Sequence, residues 1–159
     1  MGKIEVPDAL LNKPGKLTDE EYAQMKGHTL AGKKIIARSA EAVAESHYLD
    51  EAGRLAEFHH ERWDGKGYPH GIKGEEIPLS ARVMAVADVF DALVSKRSYK
   101  EGFPIEKALA IITEGVGTQF DPQVANAFLH AEAEVRRIAQ EHGEHDCEDG
   151  TAGAEAKSV

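Results

Sequence analysis

The 159-residue chain carries a formal charge of −9 with 42% hydrophobic residues, a composition suited to one globular domain. The negative balance argues against a protein that coats nucleic-acid polymers, which needs a basic field. No apolar run approaches the roughly 20 residues of a membrane span. A small anionic substrate stays open, because metals and a few lysines can make one pocket locally positive.

The first residues, through Pro14-Gly15-Lys16, read as loop or turn, and they lack the apolar core of a secretory signal. Thr18-Asp19-Glu20-Glu21 predicts a capping box, with threonine at the cap and glutamate three residues on. The helix that follows is expected to bury Tyr22, Met25 and Leu30, with Ile35 and Ile36 further along. A second helical stretch covers roughly 49 to 61, where Leu49, Ala52, Leu55 and Phe58 recur at helical spacing. It stops against Asp64-Gly65-Lys66-Gly67-Tyr68-Pro69-His70-Gly71, whose glycines and proline oppose regular structure.

Ser80 is expected to cap the next helix, with Val83, Met84, Val86, Ala87, Phe90 and Leu93 as its apolar positions. Pro104 suits the first turn of another, with Ile105, Ala108, Leu109 and Ile112 inside and Gly115 closing it. Asp121-Pro122 repeats that start signal for a last helix bearing Val124, Phe128, Val135 and Ile138. Residues 143–159 are acidic and small, with almost nothing to bury, and read as a disordered tail after a domain spanning 1–142. Neither an internal repeat nor a convincing strand is present, so the expected fold is all-α. Cys147 is the only cysteine, which rules out an intrachain disulfide and makes the cytoplasm the expected setting.

His59-His60-Glu61 closes a helix just before the glycine-rich loop. Neighbours on a regular helix point about 100 degrees apart, so the two histidines would serve two metals, or one metal and one substrate group, at the helix end. Imidazole suits Fe, Mn, Zn and Ni, and carboxylate shifts the preference toward harder ions. Asp88 sits among Ala87, Val89 and Phe90 in an apolar helix, where a lone buried carboxylate needs a partner or a cation. Asp91 lies on a neighbouring face. Glu61 fits equally a supporting role behind the histidines and a place on the surface. His47, His70, His130, His142 and His145 lack such surroundings and read as surface residues.

Taken together, these residues resemble the HD-GYP domains, a branch of the HD phosphohydrolase superfamily. His59-His60-Glu61-Arg62-Trp63-Asp64-Gly65-Lys66-Gly67-Tyr68-Pro69 is similar to the family's double-histidine and GYP stretch, and Ala87-Asp88-Val89-Phe90-Asp91-Ala92-Leu93 to its aspartate helix. Arg97-Ser98-Tyr99-Lys100, Phe120-Asp121-Pro122, Lys26-Gly27-His28-Thr29 and Pro14-Gly15-Lys16-Leu17-Thr18 resemble further family segments, so the likeness covers residues 1 to about 130.

The resemblance implies an HD-superfamily helical domain and a phosphodiesterase acting on cyclic di-GMP through two or three divalent transition metals, Fe or Mn first, Zn or Ni next. It implies His28, His59, His60 and Asp88 as metal ligands. Lys3, Arg97 and Lys100 correspond to basic positions that meet substrate phosphate, Lys3 in a catalytic role. Gly67, Tyr68 and Pro69 would form the loop bordering the substrate, where a partner signalling domain could dock; a homodimer is one allowed assembly.

The family's His-Asp pair, which in relatives directly precedes a segment like Met1-Gly2-Lys3-Ile4-Glu5-Val6-Pro7-Asp8, has no counterpart in this sequence. The chain by itself is therefore expected to be inactive or nearly so, with reduced metal occupancy. One explanation is that Met1 is an internal methionine of a longer protein; a fragment and a non-catalytic interaction module are the others. An HD-type hydrolase of another nucleotide is the remaining functional alternative.

Overall fold

A computed structural model describes residues 5–11, 13, 15–40, 47–95 and 102–148, with side chains through 141. Among them are the helices α1 (Asp8–Leu11), α2 (Asp19–Lys26), α3 (His28–Ala40), α4 (His47–Phe58), α5 (Leu79–Val94), α6 (Ile105–Glu114), α7 (Pro122–His130) and α8 (Glu132–Glu148). A 3-10 turn spans Gly74–Glu76, and the only β pairing among the described residues is an isolated bridge between Val116 and Phe120. The fold is all-α.

The helices begin and end where local chemistry directs. Thr18 accepts from the Glu21 amide while the Glu21 carboxylate accepts from the Thr18 amide at 2.8 Å, which completes the capping box of α2. Asp121 accepts from the Gln123 amide at 2.8 Å and Pro122 opens α7. Gly115 closes α6, and a Cβ there would come within 2.6 Å of the Phe120 ring, so that ring packs directly on the bare glycine. Phe120 is buried with Val86, Phe90, Ala108, Leu109, Ile112 and Ala125, a core shared by α5, α6 and α7. Helix α5 also packs on α4, and α4 on α3, so α5 joins the core to the pair that carries the histidines.

Several expectations are corrected. The first long helix is two, broken at Gly27, and α2 buries none of its residues; Tyr22 and Leu30 are exposed. Its successor α3 buries His28, Thr29, Ala31, Gly32 and Ile36 instead. Helix α5 starts at Leu79 after Pro78, so Ser80 does not cap it and its hydroxyl donates to Glu51. The last predicted helix is also two, separated at Ala131, and α8 continues to Glu148, past the point at which the sequence places the tail; residues 149–159 lie outside the described residues.

Asp88 is exposed, not buried. It stands about 200 degrees around α5 from both Val86 and Phe90, the residues that face the core. The other apolar residues of α5 mislead because Leu79 and Val83 are themselves solvent-facing.

Candidate metal centre

His28 opens α3 immediately after the Gly27 break, and its ring is buried. Its Nδ1 lies 2.5 Å from the Met25 carbonyl, which fixes Nδ1 as the protonated nitrogen and leaves the Nε2 lone pair outward. His59 repeats the arrangement, with Nδ1 at 3.1 Å from the carbonyls of both Leu55 and Ala56. A ring nitrogen that donates to a backbone carbonyl while the other stays free is the usual state of a metal-binding histidine.

Helix α4 ends at Phe58, and the Glu61 amide turns back to the Phe58 carbonyl at 2.9 Å. His59 and His60 thus occupy a turn instead of a regular helical face, and their rings lie 4.0 Å apart, both beside His28. One ligand atom from each of His28, His59 and His60 lies within 4.8 Å of the others. An ion with metal–nitrogen bonds of about 2.1 Å can close that spacing with small ring movements. The objection that adjacent histidines diverge is removed by the end of the helix. Burial, and then the neighbouring His28, push His59 below the ordinary histidine range against the opposing charge of Asp88, so the fold favours the neutral imidazole that binds metal. The donor set therefore fits a divalent ion.

Asp88 stands outside the three-histidine group but lines the same cleft of about 360 Å³, together with His59, His60, Glu61 and Tyr68. Arg62 and Lys66 add basic character there, although Arg62 is paired with Asp64 at 2.8 Å. The Tyr68 ring stacks on His60 at 4.8 Å and 27°, and Tyr22 meets Tyr68 edge-on at 6.2 Å. Lys26 lies over both tyrosine rings, 4.6 Å from one and 5.5 Å from the other. Burial pushes the Tyr68 hydroxyl well above its usual range, with Tyr22 and Asp88 adding to the effect.

Gly67 crosses so closely over the start of its own loop that a Cβ would sit 2.4 Å from the Arg62 nitrogen. Gly67 and Tyr68 border the cleft and Pro69 follows through a cis peptide bond. Lys3, Arg97 and Lys100 lie outside the described residues.

Sequence reasoning leaves Glu61 undecided, reads Tyr22 as a core residue and gives Lys26 and Glu57 no role at the site. Glu61 is buried and accepts from the amides of His70 at 2.7 Å and Gly71 at 3.1 Å. His70 keeps an exposed position yet has a partner, donating or accepting at 2.9 Å with the buried Glu57. Its position nine residues after Glu61, beyond the glycines, was the available signal. His47 and His130 are at the surface as expected, and the side chains of His142 and His145 fall outside the described residues.

A helical domain with three convergent histidines at a helix end defines a class, and residues 1–124 match the HD domain family. The chain belongs to that family. Among its relatives is a cyclic di-GMP phosphodiesterase of Vibrio cholerae, 50% identical over 87% of this chain and 28% of that protein. A cyclic di-GMP phosphodiesterase of Thermotoga maritima is 44% identical over 92% of this chain and 38% of the relative. A 3'3'-cGAMP-specific phosphodiesterase of Vibrio cholerae is 40% identical over 81% of the chain and 24% of its own length. The chain thus spans about a third of the curated relatives it matches. A crystal structure of a cyclic GMP-AMP-specific phosphodiesterase of Vibrio cholerae superposes with a TM-score of 0.50 at 22% identity, over 89% of this chain and 37% of that one, which supports the fold. The HD-GYP phosphodiesterase resemblance agrees with these relatives. Among the described residues no helix is long and apolar enough to cross a membrane.

Proposed function

We propose that the chain forms part of a metal-dependent phosphodiesterase centre for cyclic di-GMP. The observation that carries this reading is the convergence of His28, His59 and His60, with His60 stacked on Tyr68 and His59 and His60 lining a cleft shared with Asp88 and Lys66. Two or three divalent ions, Fe or Mn first and Zn or Ni next, would supply activation of water and neutralisation of phosphoryl charge. His28, His59, His60 and Asp88 would hold them. The carbonyls of Met25, Leu55 and Ala56 set which ring nitrogen faces the ion. Gly67, Tyr68 and Pro69 border the substrate, and the Tyr68 hydroxyl stays protonated and able to donate. On the same reading Lys3, in the catalytic role, and Arg97 and Lys100 meet phosphate. A partner signalling domain would meet the loop at its exposed residues Lys66 and His70, and association with a second copy is a further extension.

The resembling family's His-Asp pair has no counterpart at its expected place, the one His-Asp dipeptide being His145-Asp146 far from the histidine cluster in sequence, so these residues alone are expected to bind substrate better than they cleave it. The relatives specific for 3'3'-cGAMP favour a second reading, in which that mixed dinucleotide is the substrate.

Calorimetry on the Mn²⁺-loaded chain with each dinucleotide, repeated after chelation, tests both. Binding that needs metal and prefers cyclic di-GMP supports the first reading; preference for 3'3'-cGAMP supports the second. Retention of less than one metal per chain, with no nucleotide binding, would replace both with a non-catalytic interaction module. Hydrolysis as fast as that of a longer relative would contradict the expected weak activity.

A further inference from the structure

Two buried carboxylates, Glu57 in the last turn of α4 and Glu61 just past its end, flank the His59-His60 turn, and neither belongs to the three-histidine group. Glu61 Oε1 accepts from the amides of His70 and Gly71, closing the loop that begins at Glu61 itself. Glu57 holds the His70 ring with one oxygen at 2.9 Å and Lys33 of α3 with the other at 2.7 Å. These bonds join the three pieces that build the site: α3 with His28, the end of α4 with His59 and His60, and the loop with Tyr68.

The loop in turn bears on a histidine. The Tyr68 amide donates to the His60 carbonyl at 3.2 Å, and the Tyr68 ring stacks on the His60 ring. We infer that Glu61 and Glu57 are positioning residues that, through His70 and the 61–71 loop, hold Tyr68 against His60 and so set the geometry available for metal.

Two observations favour position over simple stability. Glu61 Oε2 is buried and finds no hydrogen-bond partner among the described residues, an arrangement that stability alone does not favour. Glu57, itself buried, spends its two oxygens on different pieces of the site, one on Lys33 of α3 and the other on the His70 ring of the loop, so its bonds cross between elements instead of closing within one. Residues behind a metal ligand commonly change metal affinity by about 10–100-fold when removed.

The inference rests on the three-histidine metal reading, and its test separates the two. Mn²⁺ affinity by calorimetry and amide exchange of His70 and Gly71 in metal-free protein are measured for the parent chain, H28A, E61A, E61Q and H70A. H28A should lose about tenfold or more in affinity with unchanged exchange, and if it binds as the parent does the metal reading itself fails. E61A should exchange about tenfold faster at both amides and bind Mn²⁺ about tenfold more weakly, with E61Q near the parent because its amide oxygen still accepts both bonds. E61A that folds and keeps both values within about twofold overturns the inference, as does faster exchange with unchanged affinity. If E61A does not fold, H70A decides: weaker metal binding supports the coupling through Glu57, and parental affinity and exchange overturn it. E132A, on the exposed face of α8, is the control that changes neither.

Discussion

Gly67→Ala is the substitution whose effect follows most directly from the coordinates. The new Cβ would lie 2.4 Å from the Arg62 nitrogen, 2.5 Å from the Glu61 Cα and 2.7 Å from the Glu61 carbonyl carbon. All three are backbone atoms, so no flexible side chain can swing aside. Restoring ordinary contact distances requires the two passes of the loop to part by about 1 Å. That displacement acts on the neighbouring residue, whose amide is bonded to the His60 carbonyl at 3.2 Å and whose ring stacks on His60.

Overpacking of this kind costs about 1–3 kcal/mol. Displacing the support of a metal-binding ring weakens affinity by about 10–100-fold. Urea unfolding gives the first quantity and Mn²⁺ calorimetry at low urea the second. If G67A keeps parental stability and affinity, the close crossing does not transmit to His60 and the argument from backbone contact is wrong.

Asp121→Ala should cost about 3–5 kcal/mol in urea unfolding, because it removes the α7 cap and leaves the half-buried Arg82, paired with Asp121 at 2.5 Å, without its carboxylate. A cost under about 1 kcal/mol would show that the pair and cap are dispensable. The Arg62 side-chain hydrogen bond holds Asp64 down to about 2. Because this folded value is depressed, the stabilisation is present above the unfolded aspartate range and fades as pH falls from about 4 toward 2. A ¹³C titration of the Asp64 carboxyl should therefore show a midpoint near 2 in the parent and a return toward the ordinary value in R62A; equal midpoints would sink the assignment.

The parts of the fold that were legible are those written in local chemistry. The Thr18 box, the Asp121-Pro122 start and the Gly115 stop each depend on residues within a few positions and appear as read, while Pro104 sits one place earlier than its reading, as the cap ahead of Ile105. The breaks at Gly27 and Ala131 were missed because apolar spacing continues across them, and only packing decides that the helix turns. Asp88 shows the same limit in the other direction: apolar neighbours made it look buried, although Leu79, Val83 and Ala87 of the same helix face solvent.

For the site, the His59-His60 pair ahead of the glycines was visible as chemistry. His28, thirty-one positions upstream of His59 in the numbering, entered through the resemblance alone. Its adjacency arises from the packing of α3 on α4, which no local pattern encodes. The buried state of Glu57 and Glu61 was invisible for a related reason. A glutamate at a helix end reads as solvated, and here tertiary partners (Lys33, His70 and the returning loop amides) supply what water would.

The most direct test of the account is an anomalous-scattering map from crystals of the 159-residue chain grown with Mn²⁺. The account predicts a peak about 2.1–2.3 Å from one ring nitrogen of each of His28, His59 and His60, with Asp88 drawn toward it, and its loss in H28A. Crystals that contain Mn²⁺ bound elsewhere, with nothing between these three rings, would contradict it.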